Sequence, residues 1–192
     1  MNESSVITLY EYQLAMLHPM CDSAPASAEA LLRTLGVTRA DTAAAEQRRQ
    51  AHRITSIAEF ITGWGAPDST NIDYHGGREF RYARWDLSFW PGLQVELTEI
   101  PHARILFRRF VRHPQHPRPR LESLSDLTPW SCTHSELSDS GFAPLDHVDG
   151  IGAIGDVSAF SAIDPATGQR GDYWAYFDWS LLQGVELRAT GI

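Results

Sequence analysis

Histidine, cysteine and carboxylate side chains are the groups in this sequence whose spacing could do chemistry. His113-x-x-His116 lies in the proline ladder His113-Pro114-Gln115-His116-Pro117-Arg118-Pro119, and Cys132-x-His134 and Asp146-His147-x-Asp149 follow. Ligand pairs of this kind, converging from adjacent loops, could hold zinc or iron. None has its usual partner spacing, and the neighbouring arginines would repel a cation. We therefore read them as loop histidines facing solvent and expect no metal to be held by this chain. Cys132 and His134 could pair as thiolate and imidazole, but no G-x-S-x-G elbow or matching third group accompanies them. Glu96 and Glu99, near Asp86, could be paired carboxylates for acid–base work, or equally a solvated face on alternating strands. Gly150-Ile151-Gly152-Ala153-Ile154-Gly155 matches the dinucleotide-loop string, which needs a buried strand before it and a helix after it. The polar run Pro144–Asp149 precedes it, strand-like Val157–Phe160 follows, and only 37 residues remain. A glycine-rich loop entering a strand is the expectation. No catalytic residue is assigned.

The basic residues exclude more. All 16 are arginine, and lysine is absent. That removes the Walker A loop, Schiff-base and pyridoxal chemistry, Ser-x-x-Lys acylation and the kinase strand lysine. The arginine codons of a GC-rich genome would account for the bias, and selection against lysine-directed modification is the alternative.

Charge is unevenly spread. Residues 102–120 carry six arginines and no acid, residues 1–101 eight arginines against thirteen acids, and residues 121–192 two against eleven. An acidic body with one basic strand and loop suits an acidic peptide or protein surface. The formal charge of −8 argues against nucleic acid. On an extended Arg104–Arg112, the side chains of Arg104, Leu106, Arg108, Phe110 and Arg112 share one face; Ile105, Phe107, Arg109 and Val111 share the other. We expect the second face to pack on helices and the first to bind a peptide or partner. The alternative is an ordinary amphipathic strand paired with acids of its own sheet. The prolines that follow cannot continue a sheet, which favours a strand at the sheet margin.

The elements that must position this strand follow from periodicity. Val6, Tyr10, Leu14 and Leu17 give a helical stripe that Pro19 should stop. A second helix runs from about Ser27 to Leu35, with Gly36 as its stop. Thr38 is an N-cap, with Asp41 in an imperfect capping box, for a third helix reaching about Thr62 with Ile54, Ile57, Ala58 and Ile61 on one face. The period then changes. Glu79–Trp90, Gln94–Ile100 and Arg104–Arg112 read as strands, and Val157–Ile163, Asp172–Trp179 and Val185–Ala189 as a terminal meander. Helices followed by strands without βαβ alternation predict an α+β fold: a helical N-terminal lobe over 1–75, then an antiparallel sheet lobe over 76–192. The Pro-, Ser-, Asp- and Gly-rich stretch from about 114 to 155 reads as an inserted loop too polar for core.

The 192 residues, 43% hydrophobic and 21% charged, suit a folded protein. No apolar run spans a bilayer, the N-terminus lacks a basic signal region, and two cysteines, Cys21 and Cys132, read as cytosolic thiols. We expect a cytoplasmic protein with no membrane contact.

The opening segment Tyr10-Glu11-Tyr12-Gln13-Leu14 … Leu17-His18-Pro19, the helical first half and the sheet-forming second half together resemble the small partner subunit of methanobactin biosynthesis. In that family a helical-then-β protein pairs with a TIM-barrel iron oxidase, and the heterodimer converts cysteines of a ribosomal precursor peptide into oxazolone–thioamide groups. The resemblance implies a non-catalytic subunit that binds the oxidase and helps dock the peptide. The iron would sit in the partner, and this chain would hold no cofactor. An acidic immunity-type inhibitor that covers a toxin is the alternative, and a small enzyme of unrecognised class the third.

Overall fold

The computed structural model describes residues 7–52, 56–101, 105–149 and 154–188. Helices α1 (Leu9–Ser23), α2 (Pro25–Leu35), α3 (Arg39–Ala51) and α4 (Ile57–Trp64) come first. Two four-stranded antiparallel sheets follow: β1 (Ser69–His75), β2 (Arg78–Asp86), β3 (Leu93–Ile100) and β4 (Ile105–Arg112), then β5 (Asp146–Asp149), β6 (Ile154–Ile163), β7 (Arg170–Asp178) and β8 (Leu181–Leu187). The α+β class is as expected, with two sheets where one was expected. Strand order is sequential in both sheets, so every connection within a sheet joins neighbours. The chain divides into two compact units, Met1–His113 and Pro114–Ile192. The period changes near residue 69, but the division into units falls at the proline ladder, so the first sheet belongs with the helices.

Local signals explain the helices. Thr8 and Glu11 form a capping box at the start of α1, and Thr38 and Asp41 form a complete one on α3. Gly36, at φ 69°, ends α2 in the left-handed region. Pro19 does not stop α1; the helix continues to Ser23. An interior proline costs about 3 kcal/mol. Met20 and Cys21, the next two residues of the helix, are both buried and offset that cost. The expected long third helix is instead two, α3 and α4, the second with its own N-cap at Ser56, whose Oγ accepts from the Glu59 N–H. Val6 and Ile54 of the expected stripes lie outside the described residues.

In the first unit the helices cover one face of the sheet. Tyr12, Phe60, Trp64 and Trp85 make successive edge-to-face contacts, with ring centroids 5.7, 4.4 and 5.2 Å apart from Tyr12 to Phe60, Phe60 to Trp64 and Trp64 to Trp85. Trp64 Nε1 donates to the Ile7 carbonyl and Trp85 Nε1 to that of Gly65. Buried Gln13 ties α1 to the β2–β3 loop, accepting the Phe89 N–H at 3.0 Å and donating to Ser88. β1, which the period does not reveal, is exposed along its whole length and joins β2 through Gly76 and Gly77, both at positive φ.

The second unit corrects the reading of 114–155 as too polar for core. Leu127, Cys132, Leu137 and Phe142 from that stretch pack with Phe160, Tyr173, Ala175, Phe177 and Leu182. Helix α5 (His134–Ser138) sits within it, opened by a capping box between Thr133 and Glu136. The terminal meander is present, but its last strand begins four residues earlier than expected, at Leu181 and not Val185, Trp179 lies in the turn before it, and Ala189 lies outside the described residues.

Phe60 is fully buried, whereas its neighbour Ile61, expected inward, is 39% exposed. Phe60→Ala is expected to lower stability by about 3–5 kcal/mol, while Ile61→Ala stays within about 0.5 kcal/mol. Urea denaturation of the two variants checks the difference.

Candidate binding surface

β4 is one of the two marginal strands of the first sheet, β1 being the other, and pairs antiparallel with β3. That position agrees with the proline ladder after it. Its faces, however, are turned the other way round from the sequence reading. Phe110, expected outward, is 1% exposed, with its ring centroid 4.9 Å from that of Trp90. The Arg108 guanidinium lies 5.7 Å from the Phe60 ring centroid, directed at the helices. Arg112, on the same face, is half-buried. Leu106 stands in β4 opposite Glu99, and Arg104 lies outside the described residues. Phe107, expected to be core, is 51% exposed. Alternation sorted the strand into two faces but could not say which meets the helices, since each carries apolar and basic residues. Aromatic rings decided it: Phe60 takes the Arg108 guanidinium and Trp90 the Phe110 ring.

The outward face is a built polar surface. Glu96, 1% exposed, accepts through one carboxylate oxygen from Arg84 at 2.6 and 2.8 Å and through the other from Arg109 at 2.7 and 2.8 Å. β2, β3 and β4 are thereby linked across their pleat by one carboxylate and two guanidinium groups. Beside it, Gln94 donates to Asp86 at 2.8 Å. Glu99 is on the opposite face, accepting the Ile57 N–H at the start of α4. These carboxylates are thus neither an acid–base pair nor a solvated face. Phe107, opposite Thr98, stands next to Arg109 on this surface.

On the inward side, Arg108 borders a cavity of about 160 Å³ with Ile7, Tyr12, Arg49, Gln50, His52 and Phe60. Burial pushes the Tyr12 phenol up, against the pull of the Arg108 and Arg49 charges. Arg49 is held by Glu46 at 2.6 and 2.7 Å. Two guanidinium groups and a phenol around so small a volume suit an anionic group of a few atoms. Arg49 and Tyr12 escaped the sequence reading because their helices carry no sign of which partner strand they meet.

The histidines and cysteines do not converge. His113 Nε2 is 3.8 Å from Asp86 Oδ1, and His116 is exposed. Cys132 is buried in the core of the second unit, while His134 turns to Ser158, Nε2 to Oγ 3.1 Å, with its ring against Phe177. His147 stands opposite Ser158 in the β5–β6 pairing. Among the described residues no group of three or more His, Cys, Asp or Glu is placed to hold a metal ion. Of the glycine-rich string, residues 150–153 lie outside the described residues; Ile154 and Gly155 open β6, so the string runs into a strand as expected. Among the described residues no helix is long and apolar enough to cross a membrane. No protein-family model, curated protein or solved structure matches the chain.

Removing the Glu96 carboxylate leaves two guanidinium groups facing one another over a buried site. Glu96→Ala is expected to cost about 3–5 kcal/mol, and Phe110→Ala a similar amount, whereas Phe107→Ala changes stability by less than about 1 kcal/mol. Thermal melts of the three variants check the order; a Phe107 variant as damaging as the Phe110 variant would contradict this assignment of faces.

Burial lowers the pKa of His134, against the nearby Asp156 carboxylate and with the help of His147. Burial likewise raises that of Asp156. The unfolded chain therefore takes up a proton at His134 before the folded chain does. Stability is full above the ordinary histidine value of 6.5 and declines as pH falls through the lowered folded value. Asp156 acts with opposite sign, losing stability as pH rises above the ordinary aspartate value of 3.8 towards its raised one. Melting temperature is expected to drop on acidification from about pH 7 to pH 5, and His134→Gln to flatten that drop.

Proposed function

We propose that this chain is a non-catalytic, cytoplasmic partner subunit. It binds a peptide-modifying iron oxidase and helps dock a ribosomal precursor peptide for cysteine modification, with the iron held by the larger partner. The observation that carries the reading is the pair Phe107 and Arg109, 51% and 52% exposed, side by side on the outward face of a marginal strand. Aromatic and arginine side chains dominate the centres of protein interfaces. Glu96 holds Arg109 in place, so little side-chain freedom is lost when a partner packs on it. The cavity beside Arg108 adds a place for an acidic side chain of the peptide. The resemblance of the opening segment supplies the nature of the partner, and Tyr12 of that segment lines the cavity.

The test is affinity purification of the tagged chain from its native host, with mass spectrometry and iron analysis of what accompanies it. A larger iron-containing protein should be retained, and Phe107→Ala with Arg109→Ala should reduce its recovery at least about tenfold while the variant still melts cooperatively. A chain that elutes alone, or undiminished recovery with the double variant, would refute the reading. A toxin in place of the oxidase would establish an inhibitor instead.

A further inference from the structure

The second unit has a cavity of its own, of about 250 Å³, at the margin of its sheet. β5 pairs with β6 only from Ala159 backwards, so Ser161 and Ile163 extend beyond it. Phe142 and Phe160, in edge-to-face contact at 5.3 Å and mostly buried in the core, close its floor with their ring edges. The polar wall comes from neighbouring strands. Ser161 stands opposite Asp172 and donates to it at 2.6 Å, the Arg188 N–H donates to the Asp172 carbonyl at 2.8 Å, and Arg170 lies two residues before Asp172 on the same strand. Asp146 lines the cavity from β5.

The charges are unusual for their surroundings. Residues 121–192 contain eleven acids and two arginines. Both arginines, 18 positions apart, line this one cavity, and among the described residues neither forms a salt bridge. Both are exposed, and their convergence at one cavity of so acidic a unit gives a local site for an anionic group. Asp146 and Asp172 beside them would repel a doubly charged phosphate, just as the two arginines would repel a simple cation. A molecule that carries one positive and one negative group matches both. The volume lies just under the range of drug-sized sites, about 300–1,000 Å³, and fits a ligand of about a dozen heavy atoms.

We propose that this cavity binds a free α-amino acid with a large apolar side chain. Its carboxylate is held by Arg170 and Arg188 and its ammonium by Asp146 and Asp172, while its side chain lies against the narrow edge that Phe142 and Phe160, otherwise buried, leave open to the cavity. This site is independent of the β4 surface and of the partner-subunit reading.

Titration calorimetry of the full chain with L-phenylalanine and L-leucine tests it, with phenylacetate and phenethylamine as probes that each lack one charge. Saturable binding of at least one amino acid is expected, with Kd below about 1 mM for a ligand of this size. Phenylacetate and phenethylamine should each bind at least about tenfold more weakly than phenylalanine or not at all. Arg170→Gln with Arg188→Gln, and separately Asp146→Asn, should weaken binding by about tenfold or more. These residues are exposed, and a thermal melt confirms that each variant folds. Absence of saturable binding for both amino acids, equal affinity for the singly charged probes, or unchanged affinity in the arginine double variant would each overturn the proposal.

Discussion

The run of edge-to-face contacts from Tyr12 through Phe60 and Trp64 to Trp85 is the constraint on which the first unit depends. It joins α1, α4 and β2 in one continuous apolar body, and because aromatic pairs favour particular tilts and separations, it fixes orientation as well as contact. The two indole N–H groups meet backbone carbonyls at the ends of α4 and near the start of α1, so the rings enter the core with their polar atoms satisfied. Given that body, β4 has one way to lie. Its Phe110 must join Trp90, its Arg108 must meet Phe60, and Phe107 and Arg109 are left outward.

The outward face is stabilised by different physics. Glu96 is buried, and two guanidinium groups hold it, each through its own carboxylate oxygen. Such an arrangement adds little net stability relative to an apolar replacement, but it specifies register, since a slip of one residue would separate the three charges. The first sheet is thus set by packing on one side and by charge geometry on the other.

Helix ends were the most legible part of the sequence. Gly36 and the Thr38–Asp41 capping box are local, and each acts within four residues of itself. Pro19 misled because the cost it imposes is local while the burial of Met20 and Cys21 that offsets it comes from α1 lying against other helices. β1 was hidden because Ser69–His75 has no buried face and so no period, although Gly76-Gly77 marked its hairpin. In the 114–155 stretch, Leu127, Cys132, Leu137 and Phe142 follow no repeat, because short turns and not one regular element bring them inward. For the binding strand, membership of each face was readable and its direction was not. Direction is set by Phe60 and Trp90, which are distant in sequence. The two arginines of the second cavity, Arg170 and Arg188, likewise meet only through the pairing of β7 with β8.

The β7–β8 hairpin turns on Trp179 and Ser180, at φ 54° and 63°. Left-handed backbone at two successive positions is ordinarily the work of asparagine and glycine, and a bulky residue there is disfavoured by about 1–2 kcal/mol. What holds the turn is remote in sequence: the His134 N–H donates to the Ser180 carbonyl, the Leu182 N–H to that of Cys132, and the Trp130 N–H to that of Leu182, while the Trp179 ring is buried. The closure of the hairpin therefore depends on residues 130–134 as much as on its own turn. A ribosome releasing this chain has already emitted residues 130–134 when the turn emerges, so the segment that must clamp it is waiting. In a circular permutant that began at residue 135 the order would be reversed, and the last two strands would emerge with nothing to close them.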